Sequence, residues 1–247
     1  MAFGRPEFAS ELNKLGLDVS RETLQRLEIY AALLVKWQAR INLVGPATLP
    51  DLWRRHFLDS AQLLPLLDEN PLPRAGGGLG RGRSLSSTQS VEATTLTPTL
   101  PQLGGGGTLV DLGSGAGFPG LVLAIMTDWQ VHLIDSDQRK CAFLRQVALD
   151  CGVLDRVAIH AKRIEQVTGI AADVVTARAC APLDALLKLS APLVSETGKC
   201  LFLKGAQVEE ELTRARRHWT MRLDKRASIS DPAGVVLIVA EPRRKSQ

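Results

Sequence analysis

The chain reads as an α/β protein of Rossmann-like type, a mostly parallel sheet preceded by an N-terminal helical cap. Three observations predict this. Residues 109–125, LVDLGSGAGFPGLVLAI, run as strand, glycine-rich turn and helix, a switch of hydrophobic period that marks a βα unit. Gly113, Gly115 and Gly117 stand where the chain must turn hard and where backbone can approach a ligand. Residues 130–135, QVHLID, form a further strand ending in a carboxylate, Asp135, twenty positions after Gly115. From Thr108 onward, apolar runs at 108–112, 130–135, 156–160, 173–177, 199–204 and 234–240 alternate with helical patterns near 118–127, 138–151, 163–168, 182–194 and 206–218. Such alternation implies parallel strands with helices on both faces.

The composition permits this and narrows the rest. Of 247 residues 45% are hydrophobic, enough for a sizeable core, and the net charge of +4 with a pI near 9.0 suits a nucleic-acid partner without requiring one. Cys141, Cys151, Cys180 and Cys200 form no C-x-x-C pair and have no histidine at ligand spacing. They are expected to be reduced, mostly buried thiols, with no structural metal. The opening MAFGRPEFAS has no apolar signal core and no apolar run approaches membrane-spanning length, so a soluble cytoplasmic protein is expected.

Residues 1–69 are expected to form the helical subdomain. Pro6–Leu15 fits a short helix. Asp18 or Ser20 then caps a longer one, with Leu24, Leu27, Ala31, Leu34 and Val35 at helical spacing, ending near Arg40. A third helix over 49–67 puts Trp53, Phe57, Ala61 and Leu64 on one face and Arg54 and Arg55 on a solvated opposite face. His56 and Asp59, at i and i+3 with no further ligand nearby, are read as a structural hydrogen bond. Residues 70–107, rich in Gly, Ser, Thr and Pro, cannot bury enough apolar surface to order themselves and read as a flexible insertion. The sheet domain then occupies 108–247. The helices are either a separate cap or pack back onto the sheet.

The glycine turn decides the ligand class. Counting from Gly113, the dinucleotide pattern G-x-G-x-x-G fails at Phe118. What stands instead is acid-x-G-x-G-x-G with Asp111 at the strand end, which resembles motif I of class I S-adenosylmethionine (AdoMet) methyltransferases. Further segments make the match closer: LIDSDQRKCAFLRQVA from 133, RIE at 163–165, ARA at 177–179, LFLKG at 201–205, and upstream WQARINLV at 37–44 and RRHFLDS at 54–60. Together they resemble the bacterial 16S rRNA guanine-N7 methyltransferase family (RsmG/GidB), over nearly everything except the insertion and the last twenty or so residues.

The resemblance implies a class I fold with a seven-stranded sheet and AdoMet as cofactor. It implies, as substrate, the guanine at nucleotide 527 in the 530 loop of 16S rRNA, presented as naked rRNA or in the small subunit. No membrane and no metal are expected, and a monomer is. Family cofactor contacts map onto Gly113, Phe118, Ile164, Glu165 and Arg178. Asp111, Gly115, Gly117 and Asp135 complete the expected cofactor set: glycine backbone and Asp111 at the methionyl part, Asp135 on the ribose, Ile164 and Glu165 at the adenine edge. Guanine N7 carries a lone pair on the major-groove edge, so methyl transfer to it needs no general base. In-line orientation is the work to be done.

Arg178 and Lys204 are the expected acceptor-side residues. Three roles fit Arg178: a clamp on phosphate, on guanine O6, or on the AdoMet carboxylate. Residues 213–226, TRARRHWTMRLDKR, allow two readings, an RNA-binding stretch that stacks a base on Trp219 or a basic helix face running into an edge strand. Two rivals share the sheet: a class I methyltransferase acting on a small molecule or protein, and a non-catalytic ribosome-assembly factor. The intact glycine loop with Asp135 argues against the second.

Overall fold

A computed structural model describes residues 3–69 and 106–245. The expected insertion therefore lies, over residues 70–105, outside the described residues. Seven strands form one sheet in the order β3-β2-β1-β4-β5-β7-β6. They are β1 (Thr108–Leu112), β2 (Gln130–Asp135), β3 (Val157–Ala161), β4 (Ala172–Arg178), β5 (Val194–Lys204), β6 (Trp219–Ala227) and β7 (Val235–Arg244). β1 to β5 pair in parallel, while β7 runs antiparallel to both β5 and β6. The strand order reverses between β1 and β4, so the carboxyl ends of these two strands open the crevice where open α/β sheets bind ligands.

Alternate strand residues feed two apolar layers, as the two-residue period of a strand dictates. Leu109, Leu133, Val174 and Leu201 face one layer, Val110, Ile134, Val175 and Phe202 the other. Helices α7 (Leu183–Ser190) and α8 (Val208–His218) cover the second. The first is shared by α5 (Gly120–Met126), α6 (Gln138–Asp150) and the N-terminal helices α1 (Arg5–Lys14) and α2 (Arg21–Gln38). Phe8, Leu27, Tyr30, Phe57 and Phe118 are all buried in that one cluster. The cap packs back onto the sheet.

Local chemistry accounts for most boundaries. Ser20 caps α2, its Oγ accepting from Thr23 N at 3.0 Å, and Asp137 caps α6 by accepting from Arg139 N at 2.8 Å. The single helix expected over 49–67 is broken instead. A 3₁₀ turn covers Pro46–Asp51, a π-helical turn covers Trp53–Leu58, and two short α segments follow, α3 (Asp59–Ala61) and α4 (Leu64–Asp68). Pro50 and Pro65 explain the breaks, since each lacks an amide hydrogen and its ring crowds the preceding turn. The helix expected at 163–168 is only a 3₁₀ turn, Ile164–Gln166. β6 is the strand left out of the six placed from sequence, and β5 starts five residues before the run at 199–204.

Candidate functional site

The loop after β1 is built by close approach. Ser114 N donates to Ile134 O at 3.0 Å and Ser114 Oγ accepts from Ile134 N at 3.1 Å, which stitches the loop to β2. Gly113 has φ +63°, and a Cβ there would lie 2.4 Å from Cys180 Sγ. Gly117 has φ +92°, and its Cβ would meet Leu121 Cδ1 at 2.6 Å and the Tyr30 hydroxyl at 2.7 Å. At Gly115, φ +56°, a Cβ would find only Gly113 O, at 3.7 Å. That face of the loop is open and borders a cavity of about 690 Å³.

The two acids behave differently. Asp111 is 1% exposed beneath the loop. Its Oδ1 accepts from Thr176 Oγ1 at 2.7 Å, the residue opposite it in the β1–β4 ladder, and its Oδ2 accepts from Gly120 N at 3.3 Å. Burial pushes its carboxyl up to about 6, against the hydrogen bonds that favour the anion. Asp135 is half-buried at the end of β2; its Oδ2 accepts from Gly115 N at 2.8 Å and its Oδ1 from Asp137 N at 2.8 Å. Asp135 thus holds the loop itself.

Of the residues singled out in the sequence, Gly113, Gly115, Phe118, Arg178 and Lys204 border the cavity together. Asp111, Gly117, Asp135, Ile164 and Glu165 do not line it; Ile164 and Glu165 sit on the turn after β3. Arg178, at the end of β4, lays its guanidinium 4.9 Å from the centre of the Phe118 ring. It donates to Arg55 O at 3.1 Å and pairs with Asp59 Oδ2 at 3.5 Å. Burial lowers its pKa and Asp59 opposes that. Lys204 is nearly buried and already engaged, with Nζ 2.6 Å from Glu211 Oε2 and 3.1 Å from Ala181 O. Its ammonium ties β5 to α8 while its stem borders the cavity.

The cap supplies the opposite wall. Tyr30 is fully buried, donates to Ala116 O and stacks on Phe118 at 5.1 Å between ring centroids. His56 stacks on Phe118 at 5.0 Å. His56 and Asp59 do not bond each other, because the π-helical winding of 53–58 spoils the expected i, i+3 alignment. His56 Nε2 meets Thr48 Oγ1 at 2.7 Å instead. Asp59 accepts from Gln62 Nε2 at 2.9 Å and Ser230 Oγ at 2.5 Å. Burial and the nearby Arg178 and Arg55 push the His56 imidazole down to about 3. The expected solvated face is present at Arg55, which is exposed, while Arg54 is half-buried, and both side chains are engaged. Arg54 Nε donates to Ser230 O at 3.3 Å and Arg55 pairs with Asp231 at 2.8 Å, so both grip the turn between β6 and β7.

Sequence reasoning missed Tyr30 and Thr176, and read Asp59 only locally. Thr176 carried a signal, a lone hydroxyl within an apolar strand level with the motif acid. Tyr30 carried none beyond its place on the apolar face of α2. Trp219 is buried, with Nε1 donating to Asp184 Oδ1 at 3.1 Å. It anchors β6, and no base can stack on it. Cys141, Cys151 and Cys200 are buried free thiols, as expected, and Cys180 is exposed. No helix among the described residues is long and apolar enough to cross a membrane.

Comparison with known proteins bears on most of the chain. The family model described as rRNA small subunit methyltransferase G (GidB) matches residues 23–80 and 88–233. Ribosomal RNA small subunit methyltransferase G of Paramagnetospirillum magneticum is 50% identical over 226 residues, 92% of this chain and 92% of that one. The protein of the same name from Rhodospirillum rubrum is 46% identical, covering 92% of this chain and 94% of its own length. The one from Rhizobium rhizogenes is 40% identical over 243 residues, 95% and 99%. With the glycine loop, the strand order and a match over most of its length, the chain belongs to the rRNA small subunit methyltransferase G (GidB) family.

Proposed function

We propose that the cavity binds AdoMet beside the glycine loop and presents to it N7 of guanine 527, in the 530 loop of 16S rRNA. The residues fit such a cofactor: the open face at Gly115 leaves room that any side chain would occupy, and the cavity volume suits a ligand of drug size. AdoMet bound there supplies an electrophilic methyl group. Gly113, Gly115 and Gly117 bring backbone to its methionyl part. Asp135 holds the loop and offers its carboxylate to the ribose. Ile164 and Glu165 frame the adenine edge from the turn after β3. Asp111, too buried to meet a ligand directly, orients the start of α5 through Gly120. Phe118 is the floor on which Arg178 rests, and Arg178 aims its remaining donors at the acceptor or at the cofactor carboxylate. Lys204 acts through its grip on α8.

One observation carries this reading. Among the described residues, the titratable side chains bordering the cavity between cap and sheet have partners, except Lys140. Asp59 holds Arg178, Glu211 holds Lys204 and Asp231 holds Arg55. His56 stays neutral at physiological pH and is bonded to Thr48. The carboxylates of the wall are all tied to cations, and such a wall orients, which suits an acceptor that needs no general base. Transfer of radiolabelled methyl from AdoMet to small subunits lacking the modification, mapped at nucleotide resolution, tests it. Label at N7 of one guanine in the 530 loop is expected. Label on another atom or nucleotide, or none despite AdoMet binding, overturns the acceptor assignment.

A further inference from the structure

The sheet has two ends, and the cavity occupies only one. Val235, which opens β7, pairs with Lys204 beside the cavity; β7 then runs away from it to Arg244. At about 3.3 Å per residue, those nine steps span about 25–30 Å, allowing for the bulge in the β6–β7 ladder. α8 runs the same way, from Val208 to His218.

Both elements deliver cations to that far corner. Arg214, Arg216 and Arg217 come from the last turns of α8, and Arg243, Arg244 and Lys245 from the end of β7; all six are exposed. The ladder places Arg244 opposite Trp219 and Arg243 opposite Thr220, the residues that follow α8 directly. Lys245 closes the corner, its N donating to His218 O at 2.8 Å and its Nζ to Arg216 O at 2.7 Å. Nearby acids do little to neutralise it. Glu210 pairs with Arg214 at a loose 3.8 Å, and Asp184 serves His218 and Trp219. Arg216, Arg217, Arg243 and Arg244 have no ion-pair partner among the described residues. Cations at a helix C-terminus offset its dipole, which accounts for Arg216, Arg217 and, through its bond to Arg216 O, Lys245, but not for Arg243 and Arg244 on the strand beside them. Four unpaired guanidiniums on two rigid elements suit a regularly spaced polyanion that accepts forked hydrogen bonds.

We propose that this corner is a second RNA-contacting surface, which grips the phosphodiester backbone of the substrate rRNA about 25–30 Å from the cavity. It rests on the reading of the chain as an rRNA methyltransferase, and it assigns the corner to affinity and register, with no part in the chemistry. The span corresponds to about eight nucleotide steps at 3.4 Å per step, so a long or folded RNA reaches both sites.

The test is the variant R216A/R217A/R243A/R244A. Its KM is measured on small subunits lacking the modification, and its binding to those subunits and to protein-free 16S rRNA is titrated against salt. Each lost phosphate contact should make the log–log salt dependence shallower by about 0.7–0.9, so four remove about three. The KM should rise about tenfold to a hundredfold, as a salt dependence weakened by that much implies. Turnover number and AdoMet affinity stay unchanged, and replacement of the same four by lysine restores most of the binding. The pair R243A/R244A, removing two exposed side chains only, should show about half the change in slope and guards against misfolding of the larger variant. An unchanged slope and KM overturn the proposal. So does a loss confined to intact subunits and absent on protein-free rRNA, which would assign the corner to a ribosomal protein. Failure of the methyltransferase reading would appear separately, as absence of label with the unmodified chain.

Discussion

Gly113→Ala is the sharpest perturbation of the site, because two independent costs meet at one atom. A Cβ at Gly113 must accept φ +63°, a left-handed conformation that costs an alanine about 1–2 kcal/mol. The same Cβ would lie 2.4 Å from Cys180 Sγ and 3.2 Å from Cys180 Cβ. The thiol must move, and overpacking of this kind costs about 1–3 kcal/mol. The expected loss of folding stability is therefore about 2–5 kcal/mol, the sum of those ranges. The two parts separate in a double-mutant cycle. Cys180→Ala removes the sulfur but not the backbone strain, so G113A/C180A should recover about 1–2 kcal/mol of the loss and no more. Urea unfolding of the four proteins, with AdoMet absent, measures the coupling. AdoMet affinity should follow, because Cys180 lies two residues after Arg178 and its displacement drags the cavity wall. G113A should bind at least about tenfold more weakly, equivalent to about 1.4 kcal/mol, with partial recovery in the double variant. Additivity within about 0.5 kcal/mol would refute the claimed contact, and a G113A as stable as the parent would refute the whole argument.

Three further outcomes follow from the same geometry. Arg178→Lys keeps the charge but loses the planar fork that reaches Arg55 O and lies over Phe118; kcat/KM in the methyl-transfer assay should fall about 10- to 100-fold, about 1.4–2.7 kcal/mol, and full activity would remove Arg178 from the site. Asp111 has its folded pKa raised from 3.8 to about 6, a shift worth about 3 kcal/mol. The folded state then binds more protons than the unfolded one between about pH 4 and 6, so this group's contribution is most favourable below pH 4 and is lost as pH rises through 6. The difference in melting temperature between the parent and Asp111→Asn, scanned from pH 4 to 7.5, should carry that slope; a flat difference would contradict it. Tyr30→Phe leaves the buried Ala116 carbonyl without its donor, a loss of about 1–3 kcal/mol. In calorimetry that should lower the melting temperature by about 2–12 °C, with an unchanged midpoint counting against the bond.

What the sequence revealed was what local rules encode. β1 and β2 were placed to the residue because period-two burial and a following turn are legible within ten positions, and so were the glycine loop and Asp135. The cap of α2 was legible only as Asp18 or Ser20, and the structure selects Ser20. The broken helix at 46–68 was not. Its prolines were visible, but the apolar spacing of Trp53, Phe57, Ala61 and Leu64 is equally good for a continuous helix, and the contacts with Phe118 and the 228–231 turn that accompany the altered windings are not local in sequence. Charge told least about pairing. Arg55 with Asp231, Arg178 with Asp59 and Lys204 with Glu211 join residues separated by 176, 119 and 7 positions, so that even the short separation crosses from a strand to a helix.

Those long-range pairs change the meaning of the cap. A helical subdomain that merely covered a Rossmann-like sheet would bury apolar surface and leave the glycine loop to hold its own shape. Here the loop is held from both sides. β2 fixes it through Asp135 and Ser114, and α2 fixes it through Tyr30, whose hydroxyl takes the Ala116 carbonyl while its ring lies on Phe118. Phe118 in turn carries Arg178 and His56 against its own ring, and Arg178 is anchored to the cap by Arg55 and Asp59. The glycine loop, the strand-end arginine and the cap therefore form one packed unit. Close-packed units of this kind transmit small displacements poorly absorbed elsewhere, so a change at Tyr30 or Asp59 reaches the cavity although neither belongs to the glycine motif. The helices that look like an appendage in the sequence are, physically, part of the wall of the cavity.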